Sequence, residues 1–131
     1  MTRILPLVAR VLLGLIFFVI GLNGFFNFLP MPPHPGPADD FIGALAATGY
    51  MFPLLKGLEV LAGTLLLSGK FVPLALVILA PIVVNVAAFH VFLTPGEPAM
   101  AIVLTFLLAF LGWTYRSSFS GVLNPNAAPG A

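Results

Sequence analysis

The chain has 131 residues, of which 60% are hydrophobic and 7% charged, with a formal net charge of +1. A soluble domain carries roughly 25% charged residues, and a chain with a mean hydropathy of +1.14 cannot cover a water-facing surface. Intrinsic disorder needs low hydrophobicity and high net charge, so it is excluded too, and an integral membrane protein remains.

Four stretches come near the ~20 apolar residues that a bilayer crossing needs: residues 4–29, 52–69, 71–93 and 99–115. Each is read as a helix, because lipid cannot satisfy open backbone groups. The first has a basic start like a secretion signal, but its apolar run is too long and no A-x-A-like site follows. It is therefore read as a retained span. Five prolines between residues 29 and 37 rule out a continuing helix there. Ser68-Gly69-Lys70 and Thr94-Pro95-Gly96-Glu97-Pro98 make the two short turns that follow. The expected fold is all-α: an integral membrane antiparallel four-helix bundle over residues 1–116, with a short amphipathic external helix and a flexible tail, residues 117–131.

Residues 38–50 supply that external helix. Asp39 and Asp40 suit its positive N-terminus and Gly49 its stop, while Phe41, Leu45 and Thr48 share one face. Such a helix can cap the bundle or lie on the membrane surface. Arg3, Arg10, Lys70 and Arg116 fall on one side of a four-span topology, and Asp39, Asp40 and Glu97 on the other. The positive-inside rule then puts both termini in the cytoplasm, with only Lys56 opposing. Arg10 sits two turns into the first span, from where its stem can snorkel to the headgroups. Trp113 and Tyr115 beside Arg116 look like an interfacial anchor.

The charge balance also limits partners. A net charge of +1 offers no basic stripe for nucleic acid, so none is expected. Without cysteine there is no disulfide, thiolate nucleophile, CxxC pair or Cys-ligated metal. Two histidines and four carboxylates do not suggest a dedicated metal site, and no catalytic residue is assigned.

Polar groups inside lipid are costly and mark pathways or pockets. At about 1.5 Å per residue from the external end of each span, three helices carry theirs in the outer half. Asn23 and Asn27 lie roughly 9 and 3 Å deep, Glu59 and Lys56 roughly 10 and 6 Å, Asn85 and His90 roughly 12 and 4 Å. Lys56 and Glu59, three apart, can pair. Gly63 continues the face of Glu59 and would admit a neighbouring helix closely. Asn85 and His90 differ by five positions, about 140° around a helix, with Pro81 between them and the helix start, so one cavity need not hold both. The candidate ligand-binding residues are thus Glu59, Lys56, Asn23, Asn85 and His90. Each also has a plain structural reading: an ion pair for Glu59 and Lys56, interhelical hydrogen bonding for the asparagines, an interface position for His90.

Arg10-Val11-Leu12-Leu13-Gly14-Leu15-Ile16-Phe17 leads into Gly21-Leu22-Asn23-Gly24, and Glu59-Val60-Leu61-Ala62-Gly63-Thr64-Leu65-Leu66-Leu67-Ser68-Gly69 into Phe71-Val72-Pro73-Leu74-Ala75. Ala80-Pro81-Ile82-Val83-Val84-Asn85 and Phe89-His90-Val91-Phe92-Leu93 follow. In this order and spacing the chain resembles the DoxX family of small four-span bacterial membrane proteins. The resemblance covers nearly all of the chain through Tyr115. It implies a four-helix bundle in the bacterial inner (cytoplasmic) membrane. Some relatives are associated with membrane oxidoreductase assemblies, including a thiosulfate–quinone oxidoreductase and a complex supporting oxidative-stress defence, whereas the lack of cysteine separates this chain from four-span thiol oxidases. The leading expectation is an accessory subunit of a membrane oxidoreductase system, not catalytic on its own. It would bind a small lipophilic ligand, a quinone being the candidate cofactor, in an outward-facing polar pocket anchored by Glu59. The lipid bilayer, an oxidoreductase subunit and a second copy of the chain are the candidate partners. Two alternatives stand beside it: a small proton-coupled transporter built on Glu59, and a purely structural scaffold.

Overall fold

The computed structural model describes residues 3–30 and 36–130. Five α-helices follow in order: α1 (Ile4–Phe26), α2 (Pro37–Ala47), α3 (Met51–Ser68), α4 (Val72–Phe92) and α5 (Ala99–Thr114). A 3-10 turn, Arg116–Phe119, follows α5. The proline-rich break lies partly outside the described residues, at 31–35. Its last proline, Pro37, opens α2, where a missing N–H leaves no helical bond unmade. α1 stops at Phe26, short of residue 29, because Asn27 turns left-handed (φ 56°) and its N–H closes on the Asn23 carbonyl.

α1, α3 and α4 are long and apolar enough to cross a bilayer. α5, expected as the fourth span, is equally apolar but has 16 residues, ~24 Å at the helical rise. Tyr115 leaves helical geometry and ends it.

Helices in lipid gain nothing from hiding apolar surface from each other, so close packing must hold them. α1 and α3 meet this demand with glycine. A Cβ on Gly63 would lie 2.7 Å from the Phe18 amide nitrogen and 2.8 Å from the Gly14 carbonyl oxygen, so the two backbones touch there. That meets the expectation for Gly63. Gly14 faces Leu66, and Gly21 faces Val60. Rising numbers on α1 meet falling numbers on α3, so the pair is antiparallel. α4 packs on α3, α5 on α4, and α5 returns to α1, closing the ring α1–α3–α4–α5. Leu13, Phe17, Leu66, Leu79 and Leu111 fill its centre, fully buried.

The ends of the bundle differ in charge. At the basic end Arg3 and Arg10 share a recess with Thr114 and Tyr115, so the start of α1 meets the finish of α5. The Arg10 guanidinium does not simply reach outward. It donates to the main-chain carbonyls of Leu66 and Leu67, the second of them at 3.4 Å. The Gly69 N–H also reaches the Leu66 carbonyl, at 3.3 Å, but the carbonyls of a helix's last turn remain partly negative, which is where a cation belongs. Arg116 lies 4.3 Å from the Trp113 ring centroid and donates to the Trp113 carbonyl at 2.9 Å. Tyr115 and Phe119 pack against the core, so the tail begins with an ordered turn. At the acidic end α2 lies over α3 and α4. Phe41 meets the Phe89 ring at 5.8 Å, and the Thr48 hydroxyl accepts the Met51 N–H that starts α3, at 3.1 Å.

Candidate functional site

Glu59 is 4% exposed, and its Oε1 accepts a hydrogen bond from Lys56 Nζ at 3.2 Å, an ion pair one turn along α3. The Lys56 stem runs across Gly24 of α1, where any Cβ would collide with its methylenes. Glycine at 24 is therefore what lets a lysine enter the helix interface, with its charge spent on the carboxylate beneath it.

Asn23 is 5% exposed, and its Oδ1 accepts the Leu29 N–H at 2.6 Å. It ties down the chain leaving α1 instead of bridging two helices. Glu59 and Lys56 pair with each other and Asn23 with the Leu29 amide, so all three lie toward the acidic end of the bundle with a partner already in the chain.

His90 and Asn85 part company, as their 140° separation allows. Asn85 is exposed on the outside of α4. His90 lines an open groove of about 590 Å³ between α4 and α5, with Ala87 and Val91 from its own helix and Ala101, Thr105 and Ala109 from α5. Its Nδ1 lies 2.8 Å from the Val86 carbonyl oxygen. Because a carbonyl only accepts, the proton sits on Nδ1, and Nε2 is the nitrogen left for an occupant.

Thr105 was not among the residues singled out from the sequence. The Thr64 and Thr114 hydroxyls return to the carbonyls of Val60 and Phe110, at 2.7 and 2.9 Å. The Thr105 hydroxyl makes no hydrogen bond among the described residues. The signal was a four-residue spacing, Ala101-Thr105-Ala109, which puts small residues and one hydroxyl along a single helical stripe. Nearby, Thr94 buries a hydroxyl that also lacks a partner among the described residues. The groove is therefore an apolar channel with two hydrogen-bonding groups on facing helices.

The DoxX family model matches residues 5–94, more than half of the chain. The chain belongs to the DoxX family. The matched region spans α1 to α4 and carries all five candidate ligand-binding residues; α5, the other wall of the groove, lies beyond it. No curated protein and no solved structure is matched by the chain. Among the described residues of this DoxX protein no cluster of three or more His, Asp or Glu side chains could hold a metal ion.

Proposed function

We propose that this DoxX protein is an accessory, non-catalytic subunit of an oxidoreductase system in the bacterial inner membrane, and that it holds a lipophilic ligand of the quinone class in the α4–α5 groove. In this reading all four long helices cross the bilayer, α5 by local thinning of the lipid, and the basic end with both termini faces the cytoplasm. The observation that carries the proposal is the groove itself, an apolar space bearing His90 and the unbonded Thr105 hydroxyl. A ligand site of this kind needs apolar walls and few, well-placed polar groups.

The tautomer refines the ligand. In the neutral ring with its proton on Nδ1, Nε2 accepts, and that form suits the hydroxyl of a quinol better than the carbonyl of a quinone. Thr105 can donate or accept and so serves either form. Glu59 and Lys56 do not line the groove. They belong to the α1–α3 interface instead, where the Lys56 stem lies against Gly24.

The test is photolabelling of the protein in nanodiscs with an azido-quinone and its reduced form, followed by mapping of the labelled peptide. Label is expected on the segments around Ala87–Val91 and Ala101–Ala109, with the quinol form binding more tightly. Replacing His90 by Ala should weaken binding about tenfold, the loss of one good hydrogen bond, whereas Glu59→Gln should leave it unchanged. Absence of labelling, or a loss on Glu59→Gln alone, would overturn the proposal.

A further inference from the structure

The positive charge at the basic end of the bundle has no counter-charge within the chain. Of the four carboxylates, Asp39, Asp40 and Glu97 lie at the opposite end, and Glu59 is paired with Lys56. Two of the cations stand together. Arg3, Pro6, Leu7 and Arg10 are spaced i, i+3, i+4 and i+7, which puts them on one stripe of α1. With Thr114 and Tyr115 from the finish of α5 they line a recess of about 420 Å³ that contains no acidic side chain.

The two arginines are held differently. Arg10 is fixed, because its Nη1 donates to the Leu66 and Leu67 carbonyls and lies beside Gly69, where α3 ends. Its Nε and Nη2 make no hydrogen bond among the described residues, and neutral carbonyls leave its charge uncancelled. Arg3 is exposed, and its side chain makes no hydrogen bond or ion pair among the described residues.

α1 is long and apolar enough to cross a bilayer, and Arg3 immediately precedes its first residue. The recess therefore opens at the level of the lipid headgroups. Farther along α1, Leu7, Val11 and Leu15 recur every fourth residue and are all exposed, so apolar surface runs from the recess towards the hydrocarbon.

We propose that this recess binds the phosphodiester of an anionic membrane phospholipid, with Arg10 as its fixed cation and Arg3 closing over it from the water side. Guanidinium donors match phosphate oxygens in geometry and charge, and basic pockets between spanning helices suit anionic headgroups. A zwitterionic lipid would bring an ammonium group against two arginines with no carboxylate to receive it. The exposed apolar stripe offers room for an acyl chain, which a soluble phosphate lacks. No residue lines both this recess and the α4–α5 groove, so the site stands independently of any ligand there.

The chain has one tryptophan, Trp113, next to Thr114, and it can report the neighbouring lipid. Its quenching in liposomes of brominated phosphatidylglycerol with plain phosphatidylcholine, and of the reverse mixture, gives the ratio of the two association constants. Phosphatidylglycerol should be favoured by between about fivefold and thirtyfold, the share of one to two cations. Arg3→Gln should cut this preference about fivefold, and Arg3→Lys should restore most of it. Lys70→Gln and Arg116→Gln remove equally exposed cations outside the recess and should leave the ratio unchanged. The proposal is overturned if the two lipids quench equally, or if Lys70→Gln or Arg116→Gln acts as strongly as Arg3→Gln, which would mean diffuse surface charge. Loss of the preference in millimolar inorganic phosphate, beyond the effect of chloride at the same ionic strength, would mean a soluble-anion site and overturns it equally.

Discussion

The guanidinium of Arg10 on α1 hydrogen-bonds the main-chain carbonyl of Leu66 on α3. This contact joins the start of one span to the finish of another, where the last-turn carbonyls of α3 carry the negative end of the helix dipole. Arg10→Met should lower stability by about 1.5 kcal/mol, the low end for a charged hydrogen bond because the group is only part-buried. Arg10→Lys should fall between, since a point charge cannot serve two carbonyls as a planar fork does. Unfolding in mixed micelles by circular dichroism would measure both. Stability unchanged in Arg10→Met would leave Arg10 without a part in holding α3 to α1.

Gly63 and Gly57 lie on the same helix, yet substitution should have opposite effects. A Cβ at Gly63 meets the α1 backbone, which cannot move aside, while a Cβ at Gly57 has nothing within 4 Å. Gly63→Ala should cost about 1–3 kcal/mol through overpacking. Gly57→Ala should be neutral or stabilising by up to about 1 kcal/mol, because alanine is the better helix former. The same unfolding measurement separates the two.

Lys56 and Glu59 should behave as a unit. Lys56→Met strands a buried carboxylate and should cost on the order of 3 kcal/mol. The double variant Lys56→Met, Glu59→Leu removes both charges from the interface and should recover most of that loss. A double-mutant cycle with additive effects would mean that the 3.2 Å contact contributes nothing to stability.

Asn23 holds the Leu29 amide. Asn23→Ala should release it at about 1 kcal/mol. The effect should appear as faster hydrogen exchange in the segment leaving α1, with the exchange of the α1–α3 interface unchanged. Asn23→Asp, which keeps an acceptor, should retain protection at Leu29.

Much of this architecture is legible in the sequence. Helix boundaries in the structure fall within a few residues of those read from hydropathy and punctuation, Gly69 ends α3 with φ 77°, and the basic and acidic residues, Lys56 apart, sort to opposite ends. Lys56 with Glu59 and the close approach at Gly63 were also readable, because each depends on spacing within one helix. α5 fell short of the expected span by a single turn-ending residue, Tyr115.

Residue composition and order settled the membrane class, the helices and the position of every polar group along its own helix, since that position depends only on residue number and a known rise. Only the tertiary structure decided direction around each helix axis. It set Asn23 against its own loop, aimed His90 into a groove with Thr105, and left Asn85 outside. A span that is apolar on every side carries no local preference for which face turns inward, so that choice belongs to the neighbours it packs against.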